Sequence, residues 1–359
     1  MALLPQALTG SFDRAERIRL AGFYFAIVMM HVVGWGLLLS VARDYPALLG
    51  LGGLAYSFGL RHAFDADHIS AIDNTTRKLL QDRKRPVGVG FFFSLGHSTV
   101  VLVIALLLGF TVRAVVESVV SDGGQLRNIG GLIGTSVSGL FLLLIGLLNL
   151  IILLDILDIF HRMRSGHYTS ATLEQQLVNG GVLTRVFQRL FRLITASWQM
   201  YPIGFLFGLG FDTASEVALL AISAGAASQG LPLTAILSLP IVFAAGMCLM
   251  DTTDGAFMAK AYCWAFSNPV RKLFYNLTMT GLSVFVAVFV GMIELTQIFI
   301  QLLGLEGGVW DAIASLNLGA LGFVIVASFV GAWVAAFAIY KVRRVEEKWT
   351  AALVETTPS

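Results

Sequence analysis

Residues 47–73 read ALLGLGGLAYSFGLRHAFDADHISAID. The first half is an apolar run of the kind that fills a bilayer. The second half places Arg61, His62, Asp65, Asp67, His68 and Asp73 in the same crossing. An ionisable group in the membrane interior costs roughly 2.5–3.5 kcal/mol on insertion scales, so a crossing with several of them is built around a function.

The rest of the chain supports a membrane reading. In 359 residues, hydrophobic types make up 57%, charged types only 13%, and mean hydropathy is +0.80. Soluble proteins carry about 25% charged residues, so the excess apolar surface must face lipid. The net charge of +2 gives no sign of a nucleic-acid partner, and no motif identifies a protein partner. Cys248 and Cys263 both sit in apolar surroundings, with no Cys-x-x-Cys pair and no disulfide framework. The charged start, with Asp13, Arg14, Glu16, Arg17 and Arg19, leads straight into a long apolar run that reads as a retained anchor rather than a cleaved signal.

The expected fold is all-α: a polytopic helical membrane protein with one transport domain over 1–359. A crossing needs about 20 apolar residues, and eight stretches qualify, at roughly 20–42, 47–76, 87–116, 129–160, 197–227, 232–265, 273–303 and 312–341. With both termini cytoplasmic, the inner segments hold Arg14, Arg17, Arg19, Arg77, Lys78, Arg83, Lys84, Arg85, Arg162 and Arg164. They also hold Arg185, Arg189, Arg192, Lys260, Arg271, Lys272, Lys341, Arg343, Arg344 and Lys348. Only Arg43, Arg113 and Arg127 fall outside, the segregation that the positive-inside rule demands. The cytoplasmic loop 161–192 allows an amphipathic helix or a solvated connector, and the run after Trp349 reads as a disordered tail.

Four crossings carry polar motifs. Beside Arg61–Asp73 there are Ser94-Leu95-Gly96-His97-Ser98-Thr99, Gly210-Phe211-Asp212-Thr213-Ala214-Ser215-Glu216, and a run from Gly246 through Asp251 to Asp254 and Gly255. At 1.5 Å per residue, His97 lies about 15 Å into its span, near the midplane of a core about 30 Å thick. His62 and Asp212 lie about 22 Å, and Asp251 about 28 Å, into their longer spans. Imidazole with carboxylate and no paired thiolate suits a borderline divalent ion such as Ni²⁺, Co²⁺ or Zn²⁺. Buried ion pairs, Arg61 with an aspartate for instance, are the bland alternative. On a straight helix Asp65 projects between His62 and His68, while Asp67 points about 140° from His62. Either Asp65 is the local ligand, or the helix is irregular here, as broken helices that line a cavity are.

Other polar residues read as structural. Asp158 can pair with Arg162 at i,i+4 beside Asp155, and His31 reads as a hydrogen-bonded interior histidine. Met247, Cys248 and Met250 read as packing residues, and His161 and His167 are too few for a metal-rich tract. Glu117, Asp122, Glu294, Glu306 and Asp311 would give the outer loops a mildly acidic cast. Phe58-Gly59-Leu60 and Phe207-Gly208-Leu209 precede the motifs of oppositely directed spans, which predicts an inverted repeat with the site at its interface.

Arg61 to Ile69 resembles the H-x4-D-H signature of the nickel/cobalt transporter (NiCoT) family, and the other three motifs resemble its remaining signatures. Ser215 stands where that family more often has threonine. The resemblance covers the second to sixth spans and implies secondary uptake of Ni²⁺ or Co²⁺ across the plasma (inner) membrane. It implies His62, Asp67 and His68 as functional residues of the first signature. His97, Asp212, Glu216, Asp251 and Asp254 come from the other motifs as candidate metal groups, with Asp65 beside them. Favouring Asp67 over Asp65 argues for an opened helix, with Asp65 pairing with Arg61 or orienting a histidine.

The ion is substrate, and no cofactor is expected. Related exporters resemble a version with a long histidine-rich loop, so uptake is the better reading here. No G-x4-G-K-S/T motif suggests ATP use, and neither His-Glu-x-x-His nor Gly-x-Ser-x-Gly suggests a hydrolase, so the chain is not expected to be an enzyme. A proton- or sodium-coupled carrier of a non-metal solute is the remaining alternative.

Overall fold

A computed structural model describes residues 12–82, 84–110, 125–164, 194–209, 219–220, 222–223, 226, 231–265, 269–316 and 318–350. The described residues form helices joined by short turns, with no strand among them. In chain order they are α1 (Arg14–Ala42), α2 (Ala47–His62), α3 (Ala66–Gln81), α4 (Val89–Phe110), α5 (Gln125–Arg164) and α6 (Met200–Gly208). There follow α7 (Leu233–Ala265), α8 (Pro269–Tyr275), α9 (Gly281–Leu303), α10 (Val309–Ala314), α11 (Leu318–Val342) and α12 (Val345–Thr350). A π-helical turn, Asn276–Thr280, joins α8 to α9.

Local sequence explains the main boundaries. Asp13 and Glu16 form a reciprocal capping box at the start of α1, with bonds of 2.8 and 2.9 Å. Gly304, in the left-handed region at φ 60°, closes α9. Between α2 and α3 the chain leaves the helix at Ala63 and Phe64 and re-enters through an extended Asp65, with φ −67° and ψ 147°. The irregular helix suggested by the family's use of Asp67 is therefore present.

Among the described residues, six helical runs are long and apolar enough to cross a membrane: Arg14–Ala42, Val89–Leu107, Thr135–Met163, Leu233–Cys263, Leu273–Leu303 and Leu321–Val342. They correspond to six of the expected spans. The expected span 47–76 is absent from that set because it is cut into α2 and α3, each of 16 residues. The span 197–227 opens with a 3-10 turn and α6, and then runs largely outside the described residues. Most of the loop 161–192 and the tail beyond 350 also lie outside them; residues 161–164 still belong to α5.

α7 is the hub, packing against α1, α2, α3 and α4, while α5 packs along α9 and α4 along α6. Relative directions follow from residue pairings. Gly34 meets Val242 while Tyr24 bonds Thr253, so α1 and α7 are antiparallel. His68 meets Asp251 and Arg77 meets Tyr262, so α3 and α7 run parallel. Gly139 faces Leu295 and Gly146 faces Val288, so α5 and α9 are antiparallel. Large apolar side chains such as Phe25, Val32, Phe285, Phe299 and Val334 point outward.

Two helix crossings share one residue pattern. In α2 and α7, Tyr56-x-x-Gly59 lies on Phe243-x-x-Gly246; in α6 and α4, Tyr201-x-x-Gly204 lies on Phe93-x-x-Gly96. A Cβ added at Gly59 would sit 2.8 Å from the Phe243 carbonyl carbon, and one at Gly204 would sit 2.8 Å from that of Phe93. In both places only glycine permits the backbones to touch. These crossings pair Gly59 with Gly204, one helical turn earlier than the Phe-Gly-Leu match with Gly208 would place it.

Two sequence expectations about single residues are revised, and one open alternative is narrowed. Arg77 and Lys78 are fully buried within α3 rather than in a cytoplasmic loop. Glu294 is buried on α9 and does not contribute to an acidic outer loop. Asp65 lies against a histidine, the second of the two partners considered for it. The Asp158–Arg162 pair is present at 3.0 Å, and His31 bonds Ile27 O and the Tyr56 hydroxyl as an interior histidine does.

Candidate metal centre

The break in the second span carries the site. α2 ends on His62 and α3 begins at Ala66, so His62 is presented from a helix C-terminus and His68 from the first turn of the next helix. α4 brings His97 across to them. One ring nitrogen or other ligand atom from each of the three residues lies within 4.8 Å of the others, and all three are buried. The rings are mutually inclined, with centroids 4.7–4.8 Å apart.

His62 Nε2 and His97 Nε2 are 3.0 Å apart. Metal–nitrogen bonds of about 2.0–2.1 Å with angles near 90–110° put two ligand nitrogens roughly 3.0–3.4 Å from each other. This pair therefore already stands at coordination spacing. The other face of each α2/α3 imidazole meets a carboxylate: His62 Nδ1 lies 2.8 Å from Asp65 Oδ2, and His68 Nδ1 donates to Asp251 Oδ2 at 3.1 Å. The Asp251 contact is a hydrogen bond that fixes the His68 tautomer and turns its Nε2 toward the centre, whereas Asp65 stands at ion-pair distance from His62 without hydrogen-bond geometry. His68 Nε2 is buried and has no hydrogen-bond partner among the described residues, and the same holds for Asp251 Oδ1. An unpartnered buried polar atom is costly unless it has a ligand to receive.

The walls are dry. Phe93 meets the His68 ring edge-to-face at 4.8 Å, and Phe243 lies 5.7 Å from the His62 ring. These phenylalanines belong to the two Phe-x-x-Gly crossings, so the packing that brings the helices together also shapes the site. Gly322 of α11 closes it from behind: a Cβ there would collide with the Phe64 carbonyl in the break.

Of the candidate residues, the structure brings together His62, His68 and His97, with Asp65 and Asp251 touching them. Asp67 is half-buried beside them, and its Oδ1 accepts from the His68 backbone N–H at 2.9 Å. Asp254 is three residues beyond Asp251 on α7, with Oδ2 buried and without a hydrogen-bond partner among the described residues. Asp212 and Glu216 lie outside the described residues. Met247 and Cys248 are buried packing residues beside the site.

Sequence reasoning missed the aromatic walls and a buried network around Asp73 and Arg77. The recurrence of Phe-x-x-Gly at 93–96 and 243–246, and the i,i+4 spacing of Asp73 and Arg77, were the available signals.

Buried imidazoles beside carboxylates at a break in an apolar helix bundle have the donor set that a carrier of borderline divalent metal ions needs. Residues 48–339 match the family described as high-affinity nickel-transport protein, and the chain belongs to that family. It is a transport protein rather than an enzyme. The nickel transporter NicT of Mycobacterium tuberculosis is 52% identical over 99% of this chain and 96% of its own. The high-affinity nickel-transport protein NixA of Helicobacter pylori strain 26695 is 47% identical over 89% and 96%. The cobalt transport protein NhlF of Rhodococcus rhodochrous is 41% identical over 93% and 96%. No solved structure matches the chain.

Proposed function

We propose that the protein is a secondary permease that carries Ni²⁺ or Co²⁺ into the cytoplasm across the plasma (inner) membrane. The observation that carries this reading is the convergence of His62, His68 and His97 at the break between α2 and α3. Neutral imidazoles suit borderline divalent ions, whereas Mg²⁺ and Ca²⁺ prefer oxygen. His62, His68 and His97 replace part of the ion's water shell, Asp65 and Asp251 hold the first two rings, and Asp67 adds charge beside His68. Asp212 and Glu216, from the fifth span, and Asp254 are assigned to the ion's path.

The membrane potential, negative inside, supplies the driving force. At roughly 2.3 kcal/mol per charge per 100 mV, two charges gain about 4.6 kcal/mol, a concentration ratio on the order of 10³. In the proposed topology eight spans have both termini inside, with the two Tyr-x-x-Gly/Phe-x-x-Gly crossings marking an inverted repeat. Rocking about those crossings exposes the site alternately to each side. Proteoliposomes with an imposed potential test the function. Wild-type protein should accumulate radiolabelled nickel and His97→Ala should not; equal accumulation by both would refute the assignment.

A further inference from the structure

From His68, α3 continues for nine residues, about 14 Å, to a second polar cluster in which every member is buried. Arg77 is its centre. Its Nη1 donates to Thr280 Oγ1 at 3.2 Å, and Nη2 donates to Ser283 Oγ at 2.7 Å and to the Tyr262 hydroxyl. Asp73 lies 3.5 Å from the guanidinium and accepts from Tyr262 and from Ser283, each at 2.5 Å. The guanidinium carbon also stands 4.2 Å over the Tyr262 ring.

This network ties three elements at one point: α3 through Asp73 and Arg77, α7 through Tyr262, and the π-helical turn with the start of α9 through Thr280 and Ser283. A fully buried arginine is a poor way to gain stability, because desolvation offsets most of the attraction. A π-helical turn inside a helix is frequent where function requires an irregular backbone. Between this cluster and the histidines lies Asp254, whose Oδ2 is buried and without a hydrogen-bond partner among the described residues. Asp251, Gly255 and Tyr262 lie in order along α7, beside His68, Ile72 and Asp73 of the parallel α3, with Asp254 next to Gly255.

We infer that Arg77 is the inner gate of the pathway: a tethered cation that closes the cytoplasmic exit by occupying Asp73. The inference rests on the permease reading and extends it to the step after the histidines. A divalent ion leaving the imidazoles passes Asp254 and competes with Arg77 for the Asp73 carboxylate. Arg77 then loses its anionic partner, the link between α3, α7 and α9 opens, and the ion leaves on weakly binding oxygen ligands.

The test uses full-length protein in inside-out vesicles, with Cys248→Ser and Cys263→Ser as background and Ser70→Cys as reporter between the histidines and the gate. Asp73→Asn combined with Arg77→Gln removes both charges and keeps the shapes; Arg77→Lys keeps the charge but cannot reach all the partners. Alkylation of residue 70 by an impermeant maleimide from the cytoplasmic face should rise at least tenfold in the double variant and by less in Arg77→Lys, with labelling from outside unchanged. Unchanged labelling, an equal rise from both faces, or loss of both variants from the membrane would overturn the gate and leave a structural staple. Nickel uptake by the wild-type protein is measured in parallel. Its absence would remove the permease reading while the labelling still decides the gate.

Discussion

Replacing Gly59 with alanine should cost far more than the same change at Gly53, six residues earlier on the same helix. At Gly53 an added Cβ meets nothing within 4 Å. There alanine should stabilise the helix by about 0.5–1 kcal/mol, glycine's helix penalty. At Gly59 the added Cβ would lie 2.8 Å from the Phe243 carbonyl carbon and 3.0 Å from its Cα, with the carbonyl oxygen nearer still. Ordinary contact begins near 3.4 Å, so the α2 and α7 backbones must part by more than half an ångström. Overpacking of that kind costs roughly 1–3 kcal/mol. The shift reaches His62, three residues on, and opens its 3.0 Å spacing to His97. Nickel uptake should fall roughly 10–100-fold, the range for lost support of a metal ligand. Uptake by proteoliposomes, normalised to incorporated protein, measures it, with Gly204→Ala expected to behave like Gly59→Ala. If Gly59→Ala transports as well as Gly53→Ala, the crossing does not position the site.

Asp65→Ala and Asp251→Ala should raise the nickel concentration needed for half-maximal uptake by roughly 10–100-fold at normal protein level, because each ring loses the carboxylate that faces its Nδ1; unchanged affinity in both would return these carboxylates to a packing role. Acidification at fixed potential should depress uptake, since protons compete with the ion for the imidazole lone pairs, and a rate that rises in acid would point to proton coupling instead. Cysteines at positions 85 and 306 should be labelled by an impermeant reagent from the cytoplasm and from outside respectively, and labelling of residue 85 in intact cells would sink the eight-span topology.

The helical membrane character was legible because lipid imposes long apolar runs, and six such runs stand where hydropathy placed them. The break after His62 was legible only as a contradiction: a straight helix could not put Asp67 and His62 on one face, although Asp67 belongs to the family signature. The structure resolves it by ending α2 at His62 and turning Asp65, not Asp67, against that ring. The pairing of His68 with Asp251 is 183 positions apart in sequence, and no local period reports such a contact. Arg77 and Lys78 misled for a physical reason. Basic residues at the end of an apolar run ordinarily lie in the cytoplasm, but here side-chain oxygens from two other elements hold Arg77 and the Ile194 carbonyl holds Lys78.

X-ray absorption at the nickel edge, on purified protein loaded with one equivalent of Ni²⁺, addresses the central claim most directly. Three imidazole rings should scatter around the nickel, and one of them should disappear in each of His62→Ala, His68→Ala and His97→Ala. A nickel shell made of oxygen alone, or one unaltered by all three substitutions, would contradict it.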